Sequence, residues 1–251
     1  MAQRQPFRRV GLARALSKLG YCSRSQASEL IRSGRVQLNG TTKRDPETPV
    51  RLHSDHIEVD HRGVGIARKI YLMLHKPRGV VTTASDEKAR KTVYAFLSVG
   101  MPWVAPVGRL DKASEGLLLL TNDPEWAAQI TAPETHLEKT YHVQVEGKVN
   151  ETLPEEMVKG VRAQDGEFLR AKSAGILRRG ERNTWVVVVL DEGKNRQIRR
   201  MLAQAGVTVL RLVRVSVGSL SLVGLAKGAC RALTETEKRM LDTAIHRPPW
   251  H

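Results

Sequence analysis

The stretch Val107-Gly108-Arg109-Leu110-Asp111-Lys112-Ala113-Ser114-Glu115-Gly116 runs directly into Leu117-Leu118-Leu119-Leu120. A charged loop bounded by glycines is thereby joined to an uninterrupted aliphatic run. The leucines, followed by Thr121-Asn122-Asp123-Pro124, predict a short buried strand that ends in a turn. The loop cannot then drift far from the core, and Asp111 sits at its edge with Arg109 and Lys112 close in sequence. A carboxylate kept ionised by cations and aimed from a rigid element suits covalent or base catalysis. Read alone, the same stretch also suits a surface turn with an ordinary ion pair, since loops rich in Gly and Asp are common.

The chain of 251 residues has room for one large domain or a small and a medium one, and 41% hydrophobic residues suffice for a real core. Its net charge of +15 points to a polyanionic partner, nucleic acid before anionic membrane. No apolar run approaches the ~18 residues of a spanning helix, and Met1-Ala2-Gln3-Arg4-Gln5-Pro6 has no signal-peptide core. Two cysteines, Cys22 and Cys230, make neither a disulfide framework nor a zinc set. A cytoplasmic, reduced protein is expected.

Residues 1–35 hold eight basic side chains against one acid, Glu29. Leu12, Leu16 and Leu19 recur at helical spacing and Gly20 suits the stop. Ser23 with Gln26 is a capping-box start for a second helix that buries Ala27, Leu30 and Ile31 and ends at Gly34. Val36 and Leu38 then lead into Asn39-Gly40, a hairpin-turn signal. The connector after it contains Arg62-Gly63-Val64-Gly65, which lacks the strand and helix of a phosphate loop. His53, Asp55, His56 and His61 lack regular metal-ligand spacing.

Further on, Tyr71 to Leu74 reads as a strand, His75-Lys76-Pro77-Arg78-Gly79 as a turn, and Val80 to Thr83 as a second strand. Val93, Phe96 and Leu97 suit a short helix, and Asp123 caps another with Pro124 at its first position. Leu137 to Val145 alternates as a strand, and Trp185 to Leu190, with four successive valines, predicts a central one. From Asn195 a helix is expected with Ile198, Met201, Leu202 and Ala205 inward and Gly206 as its end. Residues 178–214 hold nine basic groups against three acids, a second cationic zone. Thr234 and Glu237 form a last capping box, before a loose tail from His246. Strands outnumber helices in mixed order, so the class is α+β.

Two resemblances rest on these residues. Leu12-Ala13-Arg14-Ala15-Leu16-Ser17-Lys18-Leu19-Gly20, Ser23-Arg24-Ser25-Gln26-Ala27 and Gly34-Arg35-Val36-Gln37-Leu38-Asn39-Gly40 resemble an S4 RNA-binding domain. Lys76-Pro77-Arg78-Gly79, Gly108-Arg109-Leu110-Asp111, Glu138-Lys139-Thr140-Tyr141 and the run Glu192 to Met201 follow in order. Behind an S4 module, that ordered set is similar to the S4-containing, ribosomal small-subunit synthase-like branch of the ribosomal RNA pseudouridine synthases. The likeness covers residues 10–233. It implies a basic tail (1–9), an S4 domain (10–57), a linker (58–69), a catalytic domain with a mixed, mainly antiparallel sheet (70–235), and a C-terminal helix and tail (236–251).

The resemblance implies isomerisation of uridine to pseudouridine in ribosomal RNA, large-subunit before small-subunit, without cofactor or metal. It makes Asp111 the essential carboxylate, by covalent attack or by removal of the C2′ proton. Arg199 is expected against Asp111, and Tyr141 against the target base, by stacking or as a base toward C5. Arg109 would fill the space left by the flipped uridine. Lys76, Lys194, Arg196 and Arg200 would hold phosphates, and Leu212 would pack beneath the base or serve as an ordinary core leucine. Arg14, Lys18, Arg24, Arg32 and Arg35 would carry the S4 contacts. The expected partner is ribosomal RNA or a ribosomal subunit assembly intermediate, met by a monomer with no membrane association. The rival reading is a non-catalytic ribosome-assembly RNA-binding factor, which need keep none of Asp111, Tyr141 and Arg199.

Overall fold

The computed structural model describes residues 9–52, 54–84 and 88–246. Residues 1–8 of the basic tail, His53 and the tail from 247 lie outside them. The chain divides into two compact units. One centres on the first 70 residues with the segments Ser98–Ala105 and Thr121–Pro124, and the other holds the rest.

In the first unit the helices Leu12–Lys18 and Arg24–Arg32 form as the leucine spacing and the Ser23 cap require. Gln26 N donates to Ser23 Oγ (3.1 Å) and Ser23 N donates to Gln26 Oε1 (3.0 Å), closing the capping box. Leu12, Leu16, Ala27 and Ile31 are fully buried. The strands Val36–Leu38 and Thr41–Lys43 pair across Asn39 and Gly40, both in the left-handed region that the tight turn demands. The expected linker at 58–69 instead begins inside this sheet: Ile57–Val59 pairs with both Val36–Leu38 and Arg62–Gly63. Its turn residues, Asp60 and His61, adopt positive φ without a glycine, so no local signal marked the hairpin.

The second unit is built on a nine-stranded sheet. Seven strands lie in the order Ser173–Arg179, Asn183–Leu190, Lys139–Glu146, Val209–Val217, Glu115–Thr121, Tyr71–Lys76 and Cys230–Ala232. Leu220–Ser221 and Ala105–Val107 join at the side. Pairing is mainly antiparallel; Val209–Val217 runs parallel to Glu115–Thr121. Every residue of Glu115–Thr121 is buried, as the leucine run requires. Each of those leucines removed from water contributes roughly 1.5–3 kcal/mol, which pins the loop before them. One core cluster includes Leu117, Leu119, Met73, Trp126, Ile130 and Leu241; a second joins Val143, Val186, Val188, Met201 and Leu212.

Several local expectations are corrected. Val80–Thr83 forms no strand beyond one bridge, Val81 to Thr92, although Val80, Val81 and Thr82 are buried. The valine-rich strand lies next to the sheet edge and alternates buried with half-buried, because its antiparallel sheet is well covered on one face only. The helix expected from Asn195 spans Gln197–Gln204, and Ala205 is exposed beyond its end. The Thr234–Glu237 capping box is present and starts the helix Glu235–His246. No helix among the described residues is long and apolar enough to cross a membrane.

Candidate active site

The Asp111 loop is held by its main chain. Thr82 Oγ1 donates to Leu110 O (2.7 Å), and Lys76 Nζ donates to Asp111 O (3.0 Å) and Ser114 O (2.8 Å). Gly79 N donates to Lys112 O (2.7 Å), and Arg199 Nη2 donates to Ala113 O (3.3 Å). Five successive carbonyls, 110 to 114, are thus engaged from the Lys76-to-Thr82 segment and from Arg199. The Asp111 carboxylate is left partly open, its side chain 38% exposed.

Lys76 therefore does not hold phosphate. It is 0% exposed and gives its third bond to Pro77 O (3.2 Å). Burial pushes its ammonium down to about 8, against the pull of Asp111 and Glu115. Lys-Pro in a turn reads as surface, whereas this lysine is the post on which the loop is hung. A Lys76→Met variant should fill the volume but leave the carbonyls of Pro77 and Ser114 without that donor. Unmet buried acceptors cost about 1–3 kcal/mol each, partly offset by the relief of burying no charge. The expected result is a urea midpoint lowered by the equivalent of ~2 kcal/mol, with activity lost more steeply than stability.

The partner of Asp111 is also corrected. Arg196 Nη1, not Arg199, lies 3.4 Å from Asp111 Oδ2. Arg196 is the residue before the helix Gln197–Gln204 and has φ +48°. This sparsely populated conformation, a kind of strain concentrated at functional sites, carries the guanidinium to the loop. Arg199 instead spends its Nη atoms on Val209 O (3.4 Å) and Ala113 O (3.3 Å). Its Nε is buried without an acceptor among the described residues. Burial, then Arg196, depresses Arg199 below the ordinary arginine value, with Asp111 opposing.

A cleft of about 420 Å³ opens beside the loop. Asp111, Tyr141, Arg199, Arg109, Lys194, Arg196 and Leu212 all line it, so residues from separate motifs meet at one place. Tyr141 lies opposite Arg214 of the Val209–Val217 strand, where the register shift places one extra residue, Val215, on that partner strand. Leu212 is 6% exposed within the core cluster and also forms part of the cleft wall. Arg109 is exposed at the rim.

The cationic strip is less free than its sequence suggests. Arg200 does not line the cleft and is bound to Glu167 (2.7 Å) and Asp165 (2.5 Å). Lys194 donates to Phe168 O (2.9 Å) and faces Glu167 and Glu192. Asp165 and Glu167 lie in the loop of the short hairpin between Val161–Arg162 and Phe168–Leu169, and Glu192 follows the strand Asn183–Leu190. In the first unit Arg14, Arg24, Arg32 and Arg35 are exposed and Lys18 is half-buried; Arg35 is paired with Asp60.

Three cleft or near-cleft groups escaped the sequence reading. Arg214 is 7% exposed and its Nε donates to Leu117 O (2.7 Å). Glu115, 2% exposed, accepts from Arg211 (3.0 Å) and Lys227 (2.6 Å). Lys139 lines the cleft two residues before Tyr141. The alternation along that strand could have flagged Lys139, since i and i+2 share a face; the other two depend on distant strands.

The first unit thus presents a helix pair with exposed arginines, and the second unit contains a cationic cleft with a carboxylate in its wall. Residues 70–204 match the RNA pseudouridylate synthase family, and residues 10–57 match the S4 domain. The chain is similar to the ribosomal large subunit pseudouridine synthase B of Bacillus subtilis (strain 168), at 36% identity over 94% of this chain and 97% of that protein. It is 40% identical to an RNA pseudouridine synthase of Rickettsia prowazekii, over 86% of this chain and 91% of that one. A crystal structure of a pseudouridylate synthase superposes with a TM-score of 0.66 at 30% identity, covering 92% of this chain and 99% of the other. The chain belongs to the RNA pseudouridine synthase family, with an S4 domain at its N-terminus.

Proposed function

We propose that the protein isomerises a uridine of ribosomal RNA, in the large subunit, and that Asp111 is the carboxylate the reaction cannot do without. The observation that carries the role of Asp111 is the clamp on carbonyls 110 to 114, which fixes its backbone while leaving its carboxylate facing the cleft. The large-subunit assignment is supported by the name of the Bacillus subtilis relative. The bacterial relatives and the S4 domain support a cytoplasmic enzyme that acts on ribosomal RNA or an assembling subunit.

In the reaction the N1–C1′ bond breaks, the base turns, and C5 bonds to C1′. Asp111 must be ionised whether it attacks the sugar or removes the C2′ proton, and the Arg196 guanidinium stands 3.4 Å from its carboxylate. Tyr141 and Leu212 offer a stacking face and an apolar floor to the extruded base. Arg109, at the rim, is placed to fill the vacated stack. Release of tritium from C5-labelled uridine in ribosomal RNA measures the turnover directly.

Two variants test the assignments. Arg199→Ala removes a strut of the Asp111 loop and the donor with the unmet Nε, so kcat should fall by on the order of 100-fold while the Kd for RNA changes little. A change in Kd alone would make Arg199 a phosphate contact. Tyr141→Phe keeps the ring, so near-normal product formation is expected if stacking is its task.

A further inference from the structure

We propose that Lys139 is a further catalytic residue, whose ammonium donates a hydrogen bond to a carbonyl oxygen of the uracil while the base is detached from the sugar. The inference rests on the pseudouridine chemistry assigned above to the Asp111 cleft and adds a group to it.

Lys139 and Tyr141 stand two apart on the strand Lys139–Glu146, so they share a face, and both line the cleft. Apart from Arg109 at the exposed rim, the other cations lining the cleft are committed within the protein. Arg196 is on Asp111, Arg199 on two carbonyls, Lys194 on Phe168 O, and Arg214 on Leu117 O. Among the described residues the Lys139 ammonium has neither a hydrogen-bond nor an ion-pair partner, while its backbone is paired in the sheet. A half-buried ammonium without a partner is costly, and its position in the cleft wall assigns the missing acceptor to the ligand. Burial, then Arg214, pushes it down to about 8, with Asp191 pulling the other way, so it stays mainly protonated near neutral pH.

The chemistry creates such an acceptor. When N1–C1′ breaks, the electron pair leaves with the base, and the negative charge spreads over N1 and the carbonyl oxygens. C5 of that anion then bonds to C1′; the C5 proton leaves and N1 gains one. Lys139 keeps its own proton throughout. A donor aimed at charge that exists only after bond cleavage lowers the barrier without tightening substrate binding.

The test compares wild type, Lys139→Gln and Lys139→Arg on large-subunit ribosomal RNA transcribed with uridine or with 5-fluorouridine. Single-turnover loss of the target nucleoside is read by mass spectrometry of digests, with RNA Kd measured alongside. Lys139→Gln should react about 100-fold slower on uridine RNA with unchanged Kd, the scale of losing one such donor; Lys139→Arg should recover much of the rate. Fluorine at C5 stabilises the detached anion, so the defect of Lys139→Gln should shrink to about tenfold or less on that RNA. Equal slowing on both RNAs, or a defect confined to Kd, overturns the proposal and leaves Lys139 a structural or phosphate-binding group. Wild-type protein that forms no pseudouridine in either the transcript or isolated ribosomal subunits would instead overturn the functional reading beneath it.

Discussion

An Asp111→Asn variant should fold, bind ribosomal RNA as tightly as the wild type, and form no measurable pseudouridine. The loss of turnover should be on the order of 10⁴-fold or more, because an amide neither attacks the sugar nor accepts the C2′ proton. Retained folding follows from the way the loop is held. Its five anchored groups are carbonyls, with Lys76 buried beneath and Thr82 alongside, and none of these bonds uses the Asp111 side chain. The substitution removes one long contact to the exposed Arg196, an interaction worth ~1 kcal/mol at most at the surface. Thermal melting within a degree or two of wild type, alongside absent tritium release, would separate chemistry from structure. A variant that melts early would show that the carboxylate holds the loop together.

Gly116→Ala should fail in the opposite way, by loss of the fold. Gly116 has φ +111° and pairs with Arg214 across the parallel seam of the sheet. A Cβ there would lie 2.2 Å from Arg214 O and 2.6 Å from Arg214 N, and neither backbone atom can swing aside as a side chain would. The seam must part, and it joins the strand behind the Asp111 loop to the strand that carries Leu212 and Arg214. Overpacking and strained backbone together cost on the order of 4 kcal/mol or more, a large share of the ~5–15 kcal/mol that holds a domain. The expected outcome is protein found mainly in the insoluble fraction, or a urea midpoint far below wild type. Unchanged stability would mean that the two strands do not approach as described.

The parts of this fold that were legible in the sequence are those decided locally. The Ser23–Gln26 box, the Asn39-Gly40 turn and the buried leucine strand each need only a few adjacent residues, and each formed. The hairpin at Asp60 and His61 was missed because its backbone conformation is borrowed by residues that rarely adopt it. Lys76 was misread because nothing beside it in sequence reveals that Asp111 and Ser114, more than thirty residues away, supply carbonyls to a buried amine. The exchange of Arg196 for Arg199 turns on where one helix begins. A start at Gln197, preceded by a left-handed arginine, redirects the nearest guanidinium to the carboxylate. The acids that occupy Arg200 come from a hairpin more than thirty residues earlier, so charge counting alone overstated the free cationic surface.

Pseudouridine mapping of both ribosomal RNAs, from cells lacking the gene and from the same cells carrying wild-type or Asp111→Ala protein, tests the central claim most directly. One uridine of the large-subunit RNA should be unmodified without the gene, restored by the wild type and not restored by the variant. Full modification at every site without the gene, or equal restoration by both proteins, would contradict the account.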